Sequence, residues 1–402
     1  MAATDARLSA GDDRPKVSLL NNPVFRSYIY QAVTLVVILA IVFFAWHNAV
    51  QNLARANMTS GFGFLNSRAG FDLSQALIDY TPDSTYFRAL EVGLINTLLI
   101  AVCGVITATI VGLLVGIGRL SPNWLISRLC TVYVEIFRNI PPLLVIFFWY
   151  LGVLSLLPSI RTIFQHVKDH PGGIFFVSVR GIYMPAPVFG ETFIYVLAAF
   201  VIGVIAAIIF TVWANRKQLA TGKRPPVLWV NLGLIVLLPL VVFFILGMPL
   251  SLDYAIPGAF NMRGMVIGPE FLALYLALSL YTAAFIAEIV RAGIRGVAKG
   301  QTEAAYALGI RAGLATRLVV LPQALRIIIP PLTSQYLNLI KNSSLAVAVG
   351  YADLVAVGGT ILNQSGHSIE IIAIWMLLYV SISLITSLFM NWFNAKMALV
   401  ER

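Results

Sequence analysis

The sequence predicts an all-α protein that crosses a membrane many times, and three observations predict it. Apolar residues make up 59% of the 402, and only 11% are charged. A water-soluble domain carries about 25% charged residues, which cover its surface. The apolar residues gather into eight runs, at about 28–48, 90–117, 132–157, 192–213, 227–247, 270–290, 332–357 and 369–391. Each run meets the roughly 20 residues that a helix needs to span about 30 Å of hydrocarbon. Alternation with period two is absent, so the expected architecture is polytopic, with about eight transmembrane helices and no barrel.

The formal charge of +10 does not point to nucleic acid, because the basic residues form no patch interleaved with aromatics. They fall in short stretches between the runs. An even number of spans puts both termini on one side. That side receives Arg7, Arg14, Lys16, Arg26, Arg119, Arg128, Arg216, Lys217, Lys223 and Arg224. It also receives Arg291, Arg295, Lys299, Arg311, Arg317, Arg326, Lys396 and Arg402. The opposite side receives Arg55, Arg68, Arg161, Lys168, Arg180 and Arg263. Lys and Arg collect on the cytoplasmic face, so both termini are expected in the cytoplasm.

Segment 1–27 is polar, and the first run, Tyr28–Trp46, lacks a small-x-small cleavage site. It reads as a retained helix and not as a secretory signal. Cys103 and Cys130 lie in or beside spans, where neither a disulfide framework nor a thiolate metal site is expected. His166 and His170 are spaced i,i+4 around Asp169, but no third ligand accompanies them. Two long outer loops, about Asn48–Phe87 and Pro158–Glu191, admit two readings. They contact an external partner, or they pack as a cap over the bundle.

The loop at about 291–330 is far longer than a tether needs to be. It reads RAGIRGVAKGQTEAAYALGIRAGLATRLVVLPQALRIII. Helical composition surrounds Glu303, Ala304 and Ala305, whose small side chains permit close approach to another surface. Gly309 permits a sharp turn at the helix end, and Pro322 is expected to stop or kink the helix there. A short cytoplasmic helix of this kind suits docking into a groove on another protein.

This segment resembles the EAA loop of ABC importer permeases, which inserts into the ATPase subunit as a coupling helix. Glu303-Ala304-Ala305, Gly309 and Leu321-Pro322 stand at the family's spacing, with Val319 where Ile is common. The resemblance implies an ATPase-coupling role for Gly300, Glu303, Ala304, Ala305, Gly309, Leu321 and Pro322. The stretches Tyr133–Tyr150, Ala284–Gln301 and Lys341–Leu354 further resemble the polar amino acid importers. The implied fold is a type I ABC importer permease core, within 88–391, that carries extra helices. These are an N-terminal helix at 28–48 and an inserted pair at about 192–247, beside a cytoplasmic tail at 392–402. That enlarged layout resembles the larger permease subunit of general L-amino-acid importers.

The chain lacks a G-x-x-x-x-G-K-[ST] phosphate cradle; Gly222-Lys223 has neither the upstream glycine nor the following hydroxyl. The resemblance therefore implies no cofactor here, with ATP and Mg bound by two copies of a cytoplasmic ABC ATPase. It also implies a homologous second permease, a periplasmic amino-acid-binding protein, an L-amino acid as cargo, and the bacterial inner membrane as the location.

Ionisable residues inside spans are costly and so mark candidate pathways. Glu135, Arg138 and Asn139 precede Pro141-Pro142, which is expected to break the third helix. Arg138 either holds a substrate carboxylate or pairs with Glu135 at i,i+3. Lys341, Asn342, Ser343 and Ser344 form a second polar cluster that either binds substrate or bonds across helices. Glu288 and Arg291 fit gating or helix-end charges. Gly112 and Gly116 form a G-x-x-x-G packing motif. Two other functions fit the sequence less well. A transporter driven by an ion gradient commonly shows inverted repeats, and no repeat is evident. A membrane enzyme needs a catalytic cluster, and the spans offer none.

Overall fold

The computed structural model describes residues 23–55, 61–169, 175–223, 225–253 and 264–397. Expectations placed on residues 1–22, on His170, Arg224 and Arg263, and on residues 398–402 lie outside these. Among the described residues, seven helices or helix runs are long and apolar enough to span a membrane, and a bent pair makes an eighth.

Helix α1, Pro23–Arg55, is exposed along its apolar length. Helix α2, Tyr86–Gly118, starts at Thr85, whose hydroxyl accepts from Arg88 N at 3.2 Å. Its long axis packs on α9, Pro269–Arg295, and this pair forms the centre of the bundle. Glycine makes the close approach possible. A Cβ on Gly112 would lie 2.6 Å from Ile286 Cβ, and one on Gly116 would lie 2.8 Å from the Ala287 carbonyl oxygen. The core around this contact holds Ile100, Ala108, Ile146, Leu274, Leu278 and Leu339.

The third apolar run is broken where the prolines predict it. Helix α3, Trp124–Asn139, ends before an extended Ile140, the conformation that a following proline imposes. Helix α4, Pro142–Phe147, restarts the chain at a bend of 112° and continues through a π turn, Phe148–Val153, into a short 3-10 turn. Helix α5, Ile160–Asp169, comes next. Helix α6, Phe193–Thr221, packs on a second inserted segment, made of α7, Val227–Leu232, a π turn, and α8, Leu238–Ile245. Gly203 faces the Leu234 carbonyl, and Asn231 donates to Thr211 Oγ1 at 2.8 Å.

Three differences from the sequence reading stand out. The outer segments contain short strands that form two small sheets. β1, Phe176–Ser178, pairs with β2, Gly181–Met184, which also pairs with β5, Met265–Ile267. β3, Ala186–Phe189, pairs with β4, Leu250–Asp253. The seventh run is displaced, because its helix begins well before residue 332. Helix α12 runs Leu321–Asn342 and carries Pro330 and Pro331, both exposed, in its interior. Lastly, Pro322 starts this helix instead of stopping one. The π turn Thr316–Val320 leads straight into α12, so the chain stays helical across Pro322.

Between α9 and α12 lie α10, Lys299–Ala307, and α11, Ala312–Ala315, followed by a π turn, Thr316–Val320. After α12 a 3-10 stretch, Ser343–Val349, leads to α13, Leu354–Ser365, and α14, Ser368–Met397. The joint before α13 is locked onto α2. Leu354 N donates to Thr97 Oγ1 at 3.0 Å, and Asn96 donates to the Ala352 carbonyl at 2.9 Å.

Candidate functional site

The short helix α10 carries good helix formers at Lys299, Gln301, Glu303, Ala304, Ala305 and Ala307, and it ends in a defined cap. Gly309 N donates to the Tyr306 carbonyl at 2.9 Å, and Ile310 N donates to the Ala305 carbonyl at 3.1 Å. This pair of bonds is a Schellman cap, and it needs a left-handed residue at Gly309, where φ is 73°. Ala305 is buried at 3% and faces inward, whereas Glu303, Ala304, Tyr306 and Gly309 are exposed and Leu308 is 80% exposed. The helix rests on the π turn after α11, and the Gln323 amide ties it to α12 through Gln301 Oε1 at 3.2 Å. Leu321 is exposed and Pro322 half-buried at the start of α12.

Gly300 stands in open space among the described residues, where a Cβ would meet no atom within 4 Å. Glycine also costs about 1 kcal/mol relative to alanine inside a helix. The conformation of this chain therefore leaves the residue unexplained, while a surface approaching from outside would explain it.

Within two turns of the end of α9, five charged side chains meet. Glu288 accepts from both Arg119 and Arg291. Arg138 Nη1 lies 3.9 Å from the same carboxylate, and Arg119 Nη2 lies 3.8 Å from Glu135 Oε1. Of the two readings of Arg138, the pair with Glu135 does not form among the described residues. Both turn toward other helices, because α3 lies against the α2 and α9 ends and offers each a partner of opposite charge. The Arg138 guanidinium also sits 5.8 Å from the centre of the Phe285 ring. Asn139 turns back along α3, donating to the Glu135 carbonyl at 2.6 Å. Arg119 is a member that the sequence does not single out. Its only sequence signal is a lone arginine just past a span.

The second polar cluster lies elsewhere. Leu339 packs on Gly104, and on α2 that level is about 18 Å from Gly116, beside which Glu288 sits. Ser343 is buried and donates to the Ile340 carbonyl at 2.7 Å; Ser344 donates to the Lys341 carbonyl at 2.8 Å. Both hydroxyls are thereby used by their own helix. Asn342 is half-buried. Lys341 is exposed, and its ammonium has no partner among the described residues. No group of three metal-ligating side chains occurs among the described residues, and Cys103 and Cys130 are free thiols.

The chain is a polytopic helical bundle with a capped helix displayed at one end, and comparison with known proteins gives its class. Residues 225–399 match the family described as binding-protein-dependent transport system inner membrane component. The chain is 60% identical over 388 residues to the general L-amino acid transport system permease protein AapQ of Rhizobium johnstonii, covering 96% of this chain and 95% of that one. It is 48% identical over 387 residues to the putative amino-acid ABC transporter permease protein YhdX of Escherichia coli, covering 95% and 96%. It is 42% identical over 432 residues to the glutamate/glutamine/aspartate/asparagine transport system permease protein BztB of Rhodobacter capsulatus, covering 98% and 100%. The chain belongs to the polar amino acid family of ABC importer permeases, whose members are multi-pass proteins of the inner membrane.

Proposed function

We propose that this chain is one of two homologous permease subunits of an importer that carries L-amino acids inward. Two copies of a cytoplasmic ABC ATPase bind the ATP and Mg, and a periplasmic binding protein delivers the cargo. The single observation that carries the reading is α10. It presents Gly300, Glu303, Ala304 and Gly309 exposed among the described residues. The names of the relatives support the substrate class, since each is a permease of amino acid transport.

In this reading the α10 end of the bundle faces the cytoplasm, with both termini. The permease domain spans 88–391, the coupling loop about 291–330, and the inserted pair about 192–247. Closure of the ATPases on ATP pushes α10. The push reaches α9 directly and α12 through the π turn and the Gln301–Gln323 bond. The Glu288 cluster, which joins the ends of α2, α3 and α9, is then the element that opens and closes the inner side. Lys341, exposed partway along a span, is the favoured pathway residue, because an unpaired ammonium in lipid is costly. Arg138 is the second. This chain performs no covalent step.

Reconstitution tests the proposal. The purified chain should bring down an ATPase, a second permease and a binding protein from mild detergent. Proteoliposomes of the complex should take up labelled amino acids only when ATP is supplied on the ATPase side. Uptake driven by a cation gradient without any ATPase would replace this reading with a secondary transporter.

A further inference from the structure

At the end of α9 away from α10, a cavity of about 420 Å³ is lined by Ser74, Gln75, Tyr150, Arg180, Tyr183 and Glu270 among others. Four separate stretches meet there: the segment before α2, the π turn after α4, the β1–β2 hairpin, and the first turn of α9. The walls carry opposite charges that do not neutralise each other. Arg180 is exposed and its guanidinium has no partner among the described residues. The Glu270 carboxylate accepts one hydrogen bond, from the Tyr150 hydroxyl at 3.3 Å. Arg180 and Glu270 make no N–O approach of 4.0 Å or less.

The two residues stand on separately anchored backbone. Arg180 sits in the β1–β2 turn, where its N–H donates to Ser178 Oγ at 3.0 Å. Gly181, with φ of 115°, is pressed against the Ile267 carbonyl, and β2 is fixed to β5 by the Ile182–Ile267 register. Glu270 is fixed by Pro269 and the helix behind it. The Gln75 side chain lies across Gly268, where a Cβ would overlap it, and the Gln75 carbonyl is anchored by Asn96 Nδ2 at 2.9 Å.

We infer that this cavity is an entry site for a zwitterionic α-amino acid, with its carboxylate on Arg180 and its ammonium on Glu270. The inference rests on the amino acid reading above and adds where the cargo first meets this chain. A ligand of one charge would satisfy one wall and leave the other unpaired; a zwitterion satisfies both. The Tyr150 hydroxyl supplies a further polar contact. Tyr150 and Glu270 stand on the broken span and on α9, the same core elements whose other ends approach the Glu288 cluster. The cavity therefore opens onto the central helices and not onto the inserted pair.

The test uses the assembled importer, with both permeases, the ATPases and the binding protein, in proteoliposomes supplied with a labelled mixture of L-amino acids. R180Q and E270Q should each lower initial uptake at least about tenfold, the loss expected for one charge-assisted contact. Docking of the loaded binding protein should stay within about twofold, and thermal unfolding of the complex should be unchanged. Wild-type uptake with unaltered uptake in both variants overturns the entry site alone. Loss of uptake together with loss of binding-protein docking also overturns it, because the cavity is then a protein contact. No amino acid uptake by the wild type overturns the amino acid reading itself. Should E270Q fail to assemble, R180Q decides, since an exposed arginine is not needed for folding.

Discussion

Arg119, which caps the end of α2, and Glu288, seven residues from the end of α9, are bonded although 169 positions separate them. The Arg119 side chain is only 10% exposed and that of Glu288 23%, so solvent screens the pair weakly. Glu288 also serves Arg291 and Arg138. One carboxylate thus holds three cations from α2, α3 and α9 beside the loop that is proposed to receive the ATPase.

Removing that carboxylate should therefore be felt more than removing its neighbour. E288Q leaves three guanidinium groups facing each other and should lower stability by about 2 kcal/mol. E135Q loses a single contact at 3.8 Å from a side chain that is 56% exposed, and should change stability by less than about 0.5 kcal/mol. Thermal unfolding of the detergent-solubilised chain compares the two. Equal melting temperatures would remove Glu288 from its central place.

The α10 cap yields a graded series. At φ of 73° any side chain with a Cβ is strained by about 1–2 kcal/mol, but asparagine tolerates this region best. G309V should abolish ATP-driven uptake and weaken ATPase co-purification, while G309N retains a measurable part of both. Membrane insertion should be normal in each, because the residue is exposed and lies outside the spans. A G309V importer with full uptake would disconnect this cap from coupling.

The range of each interaction decides whether the sequence discloses it. The spans, the Pro141-Pro142 break and the Gly112/Gly116 contact are written in local runs or in fixed spacing, and each is legible. Arg119 is not, because its meaning depends on a partner on another helix. The strands escape a sequence reading because each has three or four residues, and two of the three pairings cross a long separation, as Ile182 does with Ile267. The apolar run at 332–357 misplaces helix α12 because the helix begins in the less apolar stretch Leu321–Pro331. The walls of the Arg180–Glu270 cavity come from four distant stretches, and no window of sequence contains them.

Two glycines should behave in opposite ways. G112V places a branched side chain where a Cβ alone would lie 2.6 Å from Ile286 Cβ, so the α2–α9 contact cannot form. That variant should fail to reach the folded state, as judged by size-exclusion profile and protease resistance. G300A meets open space and gains helix propensity, so it should keep or raise stability by up to about 1 kcal/mol. It should nonetheless weaken ATPase association, which pull-down measures. A G300A chain that binds the ATPase normally would leave that glycine without any explanation.

Lys341 gives the sharpest choice between lipid and pathway. Its side chain is exposed on this chain, at about the level of Gly104 on α2, well inside the span. Facing lipid, a lysine at such depth costs at least about 2.5 kcal/mol, and K341M would then raise stability and leave uptake untouched. Facing a water-filled path or the second permease, the same substitution removes a needed cation. Uptake by the assembled importer should then fall at least about tenfold, while the thermal stability of the isolated chain changes little. Measuring both quantities on K341M separates the cases, and a more stable chain with undiminished uptake would withdraw Lys341 from the pathway.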